Sequence, residues 1–164
     1  MVDFDTSADD RYIVALSSKG QAYMYDRNSK KVIKKVDKAI KGANIVRIIP
    51  GQSEGGDQKA IIAGKTCPAQ AWNMSTGQKL FDINANNLKD STSTGITGLT
   101  FQPLNEFVSF SQASSWSFFD ITKQRNLLTA KADQEITSIE FHPDGLLMVT
   151  GHTDSSMSIW DIRS

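Results

Sequence analysis

Short apolar runs separated by turn-forming residues recur along the whole chain. The clearest example is Ile136–Phe141, which is followed by the turn residues 142–145 and then by two further apolar runs, 146–151 and 157–162. The turn has the order His-Pro-Asp-Gly, in which proline presets φ, aspartate bonds its own backbone and glycine tolerates positive φ. Runs of this length, bounded by such turns, predict β-strands.

The same pattern repeats with a period in the forties. Residues 96–103 are identical to residues 136–143 at four of eight positions, an offset of 40. Further along each repeat, an aromatic-rich run ends on Asp or Asn, at Asp26, Asn73, Asp120 and Asp161. The spacings between these residues are 47, 47 and 41. This period matches WD40 repeats, which are about 40–45 residues long, with loops of variable length.

The repeats predict an all-β fold: a WD40-type β-propeller segment of about four blades of four-stranded antiparallel sheet, the last blade lacking its outer strand. The predicted strands are 2–5, 12–17, 21–26 and 31–36; 43–49, 59–64, 69–74 and 78–83; 96–101, 107–111, 116–121 and 125–130; and 136–141, 146–151 and 157–162. Residues 1–164 form one partial WD40 β-propeller domain in this prediction, with blades at about 1–36, 43–83, 96–130 and 136–164.

Four residues of the fourth repeat are predicted to hold structural WD40 positions. A regular WD40 blade is tied together by a Gly-His pair, a Ser or Thr, a turn Asp and a strand Trp. Thr150, Asp154 and Trp160 occupy the places of the last three, and Asp161 closes the strand after the tryptophan. No histidine occurs at 131–135, and the other three repeats lack the turn aspartate. The network is therefore predicted to be incomplete.

Composition excludes several kinds of chemistry. Lys plus Arg and Asp plus Glu number 18 each, so we expect no direct nucleic-acid partner, because phosphate binding needs an excess of basic side chains. Cys67 is the only cysteine, and neither His142 nor His152 has a second ligand at a metal-binding or catalytic spacing. No run approaches the ~20 apolar residues of a membrane span. We expect no catalytic residue, no cofactor, no metal and no membrane partner.

A lysine cluster is the sharpest polar feature of the sequence. It comprises Lys30, Lys31, Lys34, Lys35, Lys38 and Lys41. Periodicity alone is ambiguous here, but the repeat phase favours an outer strand, where lysines discourage pairing at an exposed edge. Binding of an anionic partner is the alternative interpretation.

The order of motifs resembles one particular family. The chain contains Trp116-Ser117-Phe118-Phe119-Asp120-Ile121 and, in the next repeat, Phe141-His142-Pro143-Asp144-Gly145-Leu146. Together with residues 96–99, 150–151 and 159–162, this series resembles the middle blades of the pre-mRNA-processing factor nineteen family, the U-box ubiquitin ligases of the spliceosome. The likeness is good from about residue 96 to residue 162 and loose before that.

The resemblance implies a nuclear splicing scaffold whose propeller binds substrates and protein partners; the cytoplasm is the other compartment considered. In the family, a U-box recruits the ubiquitin-conjugating enzyme and a coiled coil drives tetramerisation. This chain shows neither, so we expect it to be a non-catalytic interaction scaffold although the full-length family is an E3 ubiquitin-protein ligase. The alternative function is a WD40 adaptor subunit of an unrelated complex. Four blades also predict a homodimer that closes an eight-bladed ring, since propellers close with typically about 4–8 blades.

Overall fold

A computed structural model of the chain describes residues 1–37, 40–51, 57–83, 95–103 and 107–163. These residues form fifteen β-strands and no helix, so no helix in these ranges is able to cross a membrane. The strands are β1 Asp3–Thr6, β2 Tyr12–Leu16, β3 Ala22–Asp26, β4 Lys31–Val36, β5 Ile45–Ile48, β6 Lys59–Gly64, β7 Cys67–Asn73, β8 Gln78–Ile83, β9 Gly98–Phe101, β10 Phe107–Gln112, β11 Ser115–Asp120, β12 Arg125–Lys131, β13 Ile136–Phe141, β14 Leu147–His152 and β15 Met157–Asp161.

The strands pair in chain order into four antiparallel sheets, β1-β2-β3-β4, β5-β6-β7-β8, β9-β10-β11-β12 and β13-β14-β15. This arrangement confirms the predicted all-β fold of four propeller-type sheets with three strands in the last. The chain divides into two compact units, residues 1–84 and residues 85–164, each containing two of the sheets. The assignment of 1–164 to a single domain stays a prediction.

Every predicted strand is present, and its ends lie within two residues of the predicted ones. The largest differences, of two residues, are at three strand starts: β5 begins at Ile45 rather than residue 43, β9 at Gly98 rather than residue 96, and β7 at Cys67 rather than residue 69. In β7 the ladder with β6 resumes after an irregularity, so that Cys67 pairs with Gly64. Pro68 therefore lies inside β7, one residue before the predicted start of that strand.

One irregularity recurs at the same place in three sheets. The ladder between the third and fourth strands shifts register between Met24 and Tyr25, between Ala71 and Trp72, and between Phe118 and Phe119. These positions are 47 residues apart, the spacing that the closing Asp and Asn residues show in the sequence. A bulge increases local twist, so each sheet turns more strongly just before its third strand ends.

In the first unit, the first strand of one sheet packs beside the first strand of the next, β1 against β5. Asp3 Oδ2 accepts a hydrogen bond from the backbone N–H of Val46 (2.9 Å), and Asp5 Oδ2 accepts one from the N–H of Ile48 (2.7 Å). The Arg47 guanidinium also contacts Asp3 at 2.7 Å. Since β5 is the edge of its sheet, these carboxylates provide acceptors for N–H groups that no strand of that sheet binds.

The second unit joins β9 to β13 in the same way with other chemistry. Thr100 donates its hydroxyl hydrogen to Glu140 Oε1 (2.7 Å), and the Gln102 side-chain amide donates to the Gly145 carbonyl (2.8 Å). In both units the bonding side chains are two residues apart, on one face of the first strand. The strand registers make Asp5 equivalent to Thr100, so this position carries Asp in one unit and Thr in the other.

Apolar side chains from both sheets of a unit form one core. In the first unit the largest fully buried members are Leu16, Met24, Ile62 and Met74. In the second, Trp116, Ile136, Ile139, Phe141 and Met148 form a buried cluster, against which Phe118 and Trp160 pack with partial exposure. The alternation of buried and less buried residues along β2, β3 and β14 follows from the two-residue period of a strand.

A pair of glycines separates the effect of backbone conformation from that of close packing. Gly20 and Gly51 both have positive φ, 73° and 78°, but a Cβ on Gly20 would lie 2.4 Å from the Ile40 carbonyl oxygen, whereas a Cβ on Gly51 meets nothing within 4 Å. We expect Gly51→Ala to lower the free energy of unfolding by about 1–2 kcal/mol through φ alone, and Gly20→Ala to lower it by a further ~1–3 kcal/mol through overpacking. Urea titration of both variants measures this difference, and equal losses would contradict the packing argument.

Candidate protein-interaction site

The fourth sheet contains a buried polar contact between neighbouring strands. The Trp160 indole N–H on β15 donates to the Thr150 hydroxyl oxygen on β14 at 2.9 Å. Thr150 is fully buried. The structure therefore brings together two of the four predicted structural positions, and their role as WD40 positions stays a prediction.

His152 and Ser158 extend this contact, a feature that the sequence analysis missed. His152 Nε2 lies 3.2 Å from the Thr150 hydroxyl and 3.0 Å from the Ser158 hydroxyl. Thr150 and His152 are two residues apart on β14, and Ser158 and Trp160 are two residues apart on β15. Because alternate residues share a face of a strand, that spacing was the signal that could have grouped all four.

The other two predicted positions lie apart from this cluster. Asp154 accepts hydrogen bonds from the backbone N–H and the hydroxyl of Ser156, at 3.0 and 2.6 Å, and these bonds lower the pKa of its carboxyl group. Asp161 binds the Arg163 guanidinium at 2.6 Å and the Arg163 backbone N–H at 3.0 Å, which lowers its pKa to about 2. Both carboxylates therefore stabilise local turns in their ionised form.

The equivalent aromatic positions of two other sheets lack the hydroxyl. Trp72 pairs with Ala60 and Phe119 with Val108, as Trp160 pairs with Met148. Two residues further along, where the fourth sheet has Thr150, these sheets have Ile62 and Phe110, which are completely or almost completely buried. Trp72 donates its indole N–H to Gln70 on its own strand instead, at 3.2 Å. Apolar packing thus replaces the hydroxyl–indole contact in two sheets.

The remaining candidate chemistry is dispersed. His142 lies in an exposed turn beside Asp144, with Nδ1 3.0 Å from a carboxylate oxygen. Cys67 is buried, and burial raises the pKa of its thiol, which disfavours the reactive thiolate. Within residues 1–37, 40–51, 57–83, 95–103 and 107–163, no three His, Cys, Asp or Glu side chains come together as a metal site.

Exposed apolar side chains gather on the last strand of each sheet, which we call the outer-strand surface. Its members are Val32 and Ile33 on β4, Leu80 on β8, Leu127 and Leu128 on β12, and Met157 and Ile159 on β15. Each of these strands is an edge of its sheet as the structure describes it. Exposed apolar residues with polar neighbours are typical of protein-binding surfaces. The part of the outer-strand surface that lies in each unit is therefore a candidate interaction site by itself.

The lysine cluster lies on this surface, and its charge belongs to one unit. Residues 31–36 form β4, as the repeat phase predicted, while Lys38 lies outside the described residues. Residues 1–84 contain 13 Lys and Arg against 9 Asp and Glu, a net charge of +4, and residues 85–164 contain 5 against 9, a net charge of −4. The overall charge of zero thus conceals two units of opposite sign.

Removing the buried hydroxyl tests whether the Thr150–Trp160 contact stabilises the fourth sheet. Thr150→Val keeps the shape but leaves the indole N–H and the His152 ring without this partner, so we expect a loss of about 1–3 kcal/mol in the free energy of unfolding. Thr153→Val, in the exposed turn beyond β14, should change it by less than ~0.5 kcal/mol. Chemical denaturation measures both, and a Thr150→Val variant as stable as the wild type would contradict this account.

Sequence comparison identifies one repeat family in the chain. Residues 122–161 match the WD domain, G-beta repeat family. The matched segment contains β12 to β15, so one sequence repeat comprises the last strand of the third sheet and all three strands of the fourth. A repeat that spans two sheets links neighbouring blades through the chain itself.

Proteins of one name are similar over longer stretches. Pre-mRNA-processing factor 19 homolog 2 of Arabidopsis thaliana is 26% identical over 153 residues, which is 87% of this chain and 26% of that protein. Pre-mRNA-processing factor 19 of Bos taurus is 36% identical over 75 residues, which is 43% of this chain and 15% of that protein. The chain therefore spans about a quarter or less of the length of these relatives.

Structure comparison gives the fold alone. The crystal structure of the computationally designed Ika4 protein is similar with a TM-score of 0.75 at 17% identity, over 98% of this chain and 90% of the other. With the repeat match and the four antiparallel sheets, these similarities identify the chain as a WD40-type β-propeller segment and a protein-interaction scaffold that resembles the propeller of Pre-mRNA-processing factor 19.

Proposed function

We propose that this chain acts in the nucleus as a non-catalytic scaffold that holds a protein partner of the splicing machinery. The observation that carries this proposal is the similarity to Pre-mRNA-processing factor 19 homolog 2, which extends over 87% of the chain and is thus not confined to a single repeat. The name of that relative places it in pre-mRNA processing. That similarity is the basis on which we assign splicing partners, ubiquitination partners and a nuclear location to this chain.

The outer-strand surface supports this proposal physically. Half-exposed leucines on β12 and half-exposed Val32 and Ile33 on β4 supply apolar area to bury against a partner. The same edge strands present backbone groups to which an extended segment of a partner can bond. Neither feature requires a reactive side chain, which accords with a scaffold.

Co-precipitation of spliceosomal RNA tests the splicing assignment. An epitope-tagged chain, expressed in cells and precipitated from nuclear extract, should enrich spliceosomal small nuclear RNAs over an unrelated tagged control, because a scaffold bound to a splicing protein recovers the particle. Gly20→Ala at matched protein level should enrich less, since the partner surface requires the folded first unit. A precipitate that contains one defined protein complex but no such RNA would favour the unrelated WD40 adaptor instead.

We further propose that the isolated chain forms the homodimer that the blade count predicts. The supporting observation is β15, an edge strand on which Met157 and Ile159 are 72% and 66% exposed. Exposed edges with apolar side chains pair readily with another chain. Two copies supply eight sheets, within the range of about 4–8 blades that close a propeller.

A lysine on this edge should separate the copies. Wild-type chain at micromolar concentration should sediment as a dimer, and Ile159→Lys should sediment as a monomer, because an edge lysine blocks pairing. Ile33→Lys, a matched substitution at an exposed isoleucine of β4, should stay dimeric. A folded wild-type monomer under these conditions would rule out the dimer and leave the scaffold proposal unaffected.

A further inference from the structure

The first unit contains a cavity that is large enough to hold a ligand. Its volume is about 670 Å³, within the range of about 300–1,000 Å³ that small-ligand and peptide pockets occupy. Its walls come from β7, from the start of β8 and from the connection that precedes β5, including Lys41, Cys67, Gln70, Trp72 and Gln78. Apolar and polar groups therefore line the same space.

Lys34 places a further ammonium group at this cavity. Gly77 belongs to the cavity wall, and a Cβ built on Gly77 would lie 2.9 Å from Lys34 Cε and 3.7 Å from Lys34 Nζ. The Lys34 side chain thus lies against Gly77, where a residue with a side chain would clash with it. Lys34 is half-buried, and neither it nor Lys41 forms an ion pair within the described part of the chain.

The neighbouring lysines differ, because their charges are already neutralised. Lys35 contacts Asp37 at 2.6 Å, and Lys79 contacts Asp82 at 2.9 Å. Lys34 and Lys41 are therefore the cations at this cavity that have no carboxylate partner among the described residues. Their charge adds to a unit whose net charge is +4. An anionic ligand would supply the countercharge that these two lysines lack among the described residues.

Gln70 provides a neutral donor in the same wall. The Trp72 indole nitrogen is only a donor, so the bond of 3.2 Å between it and Gln70 Oε1 fixes the orientation of the amide. The amide NH₂ group of Gln70 then has no partner among the described residues. Two ammonium groups, one amide donor and an apolar wall suit carboxylates that flank an apolar side chain.

We infer that this cavity binds an acidic peptide segment of a partner protein, with Lys34 and Lys41 as carboxylate contacts and Gln70 as a hydrogen-bond donor. This inference rests on the proposed scaffold function and names the partner chemistry. A nucleic acid fits less well, because Trp72 is 4% exposed and offers no open ring face on which a base can stack. A peptide uses both the cations and the apolar wall.

Fluorescence anisotropy with the full chain tests the inference. The probe is a fluorescein-labelled peptide with one leucine between two Asp-Glu pairs, and its control has Asn-Gln pairs instead. Wild-type chain should bind the acidic probe at least about tenfold more tightly than the control, because the control has no carboxylates to contact the lysines. A tenfold difference corresponds to ~1.4 kcal/mol of binding free energy. Equal binding of the two peptides would overturn the inference.

Matched variants locate the site. Lys34→Gln with Lys41→Gln should weaken binding about tenfold or more, whereas Lys30→Gln with Lys59→Gln, the same loss of charge away from the cavity, should weaken it less than about threefold. Gln70→Glu keeps an oxygen for the Trp72 indole, so it preserves folding, and its new charge should also weaken binding at least about tenfold. Unchanged thermal unfolding verifies that each variant is folded.

The remaining outcomes are also decisive. Equal weakening by both lysine pairs would mean general attraction and no site at the cavity, and displacement of the probe by an oligouridine at equal concentration would assign the surface to nucleic acid. If spliceosomal RNA is still co-precipitated while the cavity variants bind the probe like wild type, the cavity inference fails and the scaffold proposal stands. If the probe and the variants behave as expected but no spliceosomal RNA is co-precipitated, the cavity inference stands and the splicing assignment fails.

Discussion

The backbone of the first strand in each sheet sets the constraint on which the rest of the structure depends. This strand is an edge, so half of its N–H and C=O groups find no partner in their own sheet, and leaving buried backbone groups unpaired is costly. In the first unit, Asp3 and Asp5 accept the N–H groups of Val46 and Ile48. In the second, the side chains join the sheets: Thr100 on β9 donates to Glu140 on β13, and Gln102 donates to the carbonyl of Gly145 in the turn after β13. Two sheets are thereby fixed side by side, and their apolar faces meet in a common core.

With neighbouring sheets fixed in this way, the interior tolerates loss of the usual polar network. Ile62 and Phe110 stand where the fourth sheet has Thr150, and each brings apolar volume into a packed core where a hydroxyl would need a partner. The fourth sheet keeps its hydroxyl because Trp160, His152 and Ser158 surround it with hydrogen-bonding groups. The repeats that lack the hydroxyl–indole hydrogen bond are therefore stabilised at this position by apolar packing instead.

The surface consequences follow from strand order. Apolar residues that do not enter the core lie mostly on the last strands, where Leu128 and Ile159 are exposed, although Phe4 on β1 is exposed as well. Lysines on β4 add charge to this edge in the first unit, and one of them, Lys34, borders the cavity together with Lys41 from the connection before β5. These features are typical of a protein-binding surface: an exposed strand edge, exposed apolar side chains, and lysines without a carboxylate partner among the described residues.

The sequence by itself determined the number, order and approximate ends of the strands, because turn residues and the repeat period act locally along the chain. It located the closing residues Asn73, Asp120 and Asp161, and the residues directly before them, Trp72, Phe119 and Trp160, have equivalent partners in the sheets. Only the tertiary structure decided which polar residues meet. The sequence could not show that Asp3 reaches Val46, that Thr100 reaches Glu140, or that Lys34 lies against Gly77, because these contacts join residues of different sheets. Periodicity gives the face of a residue, but the partner across that face depends on how the strands are registered and packed.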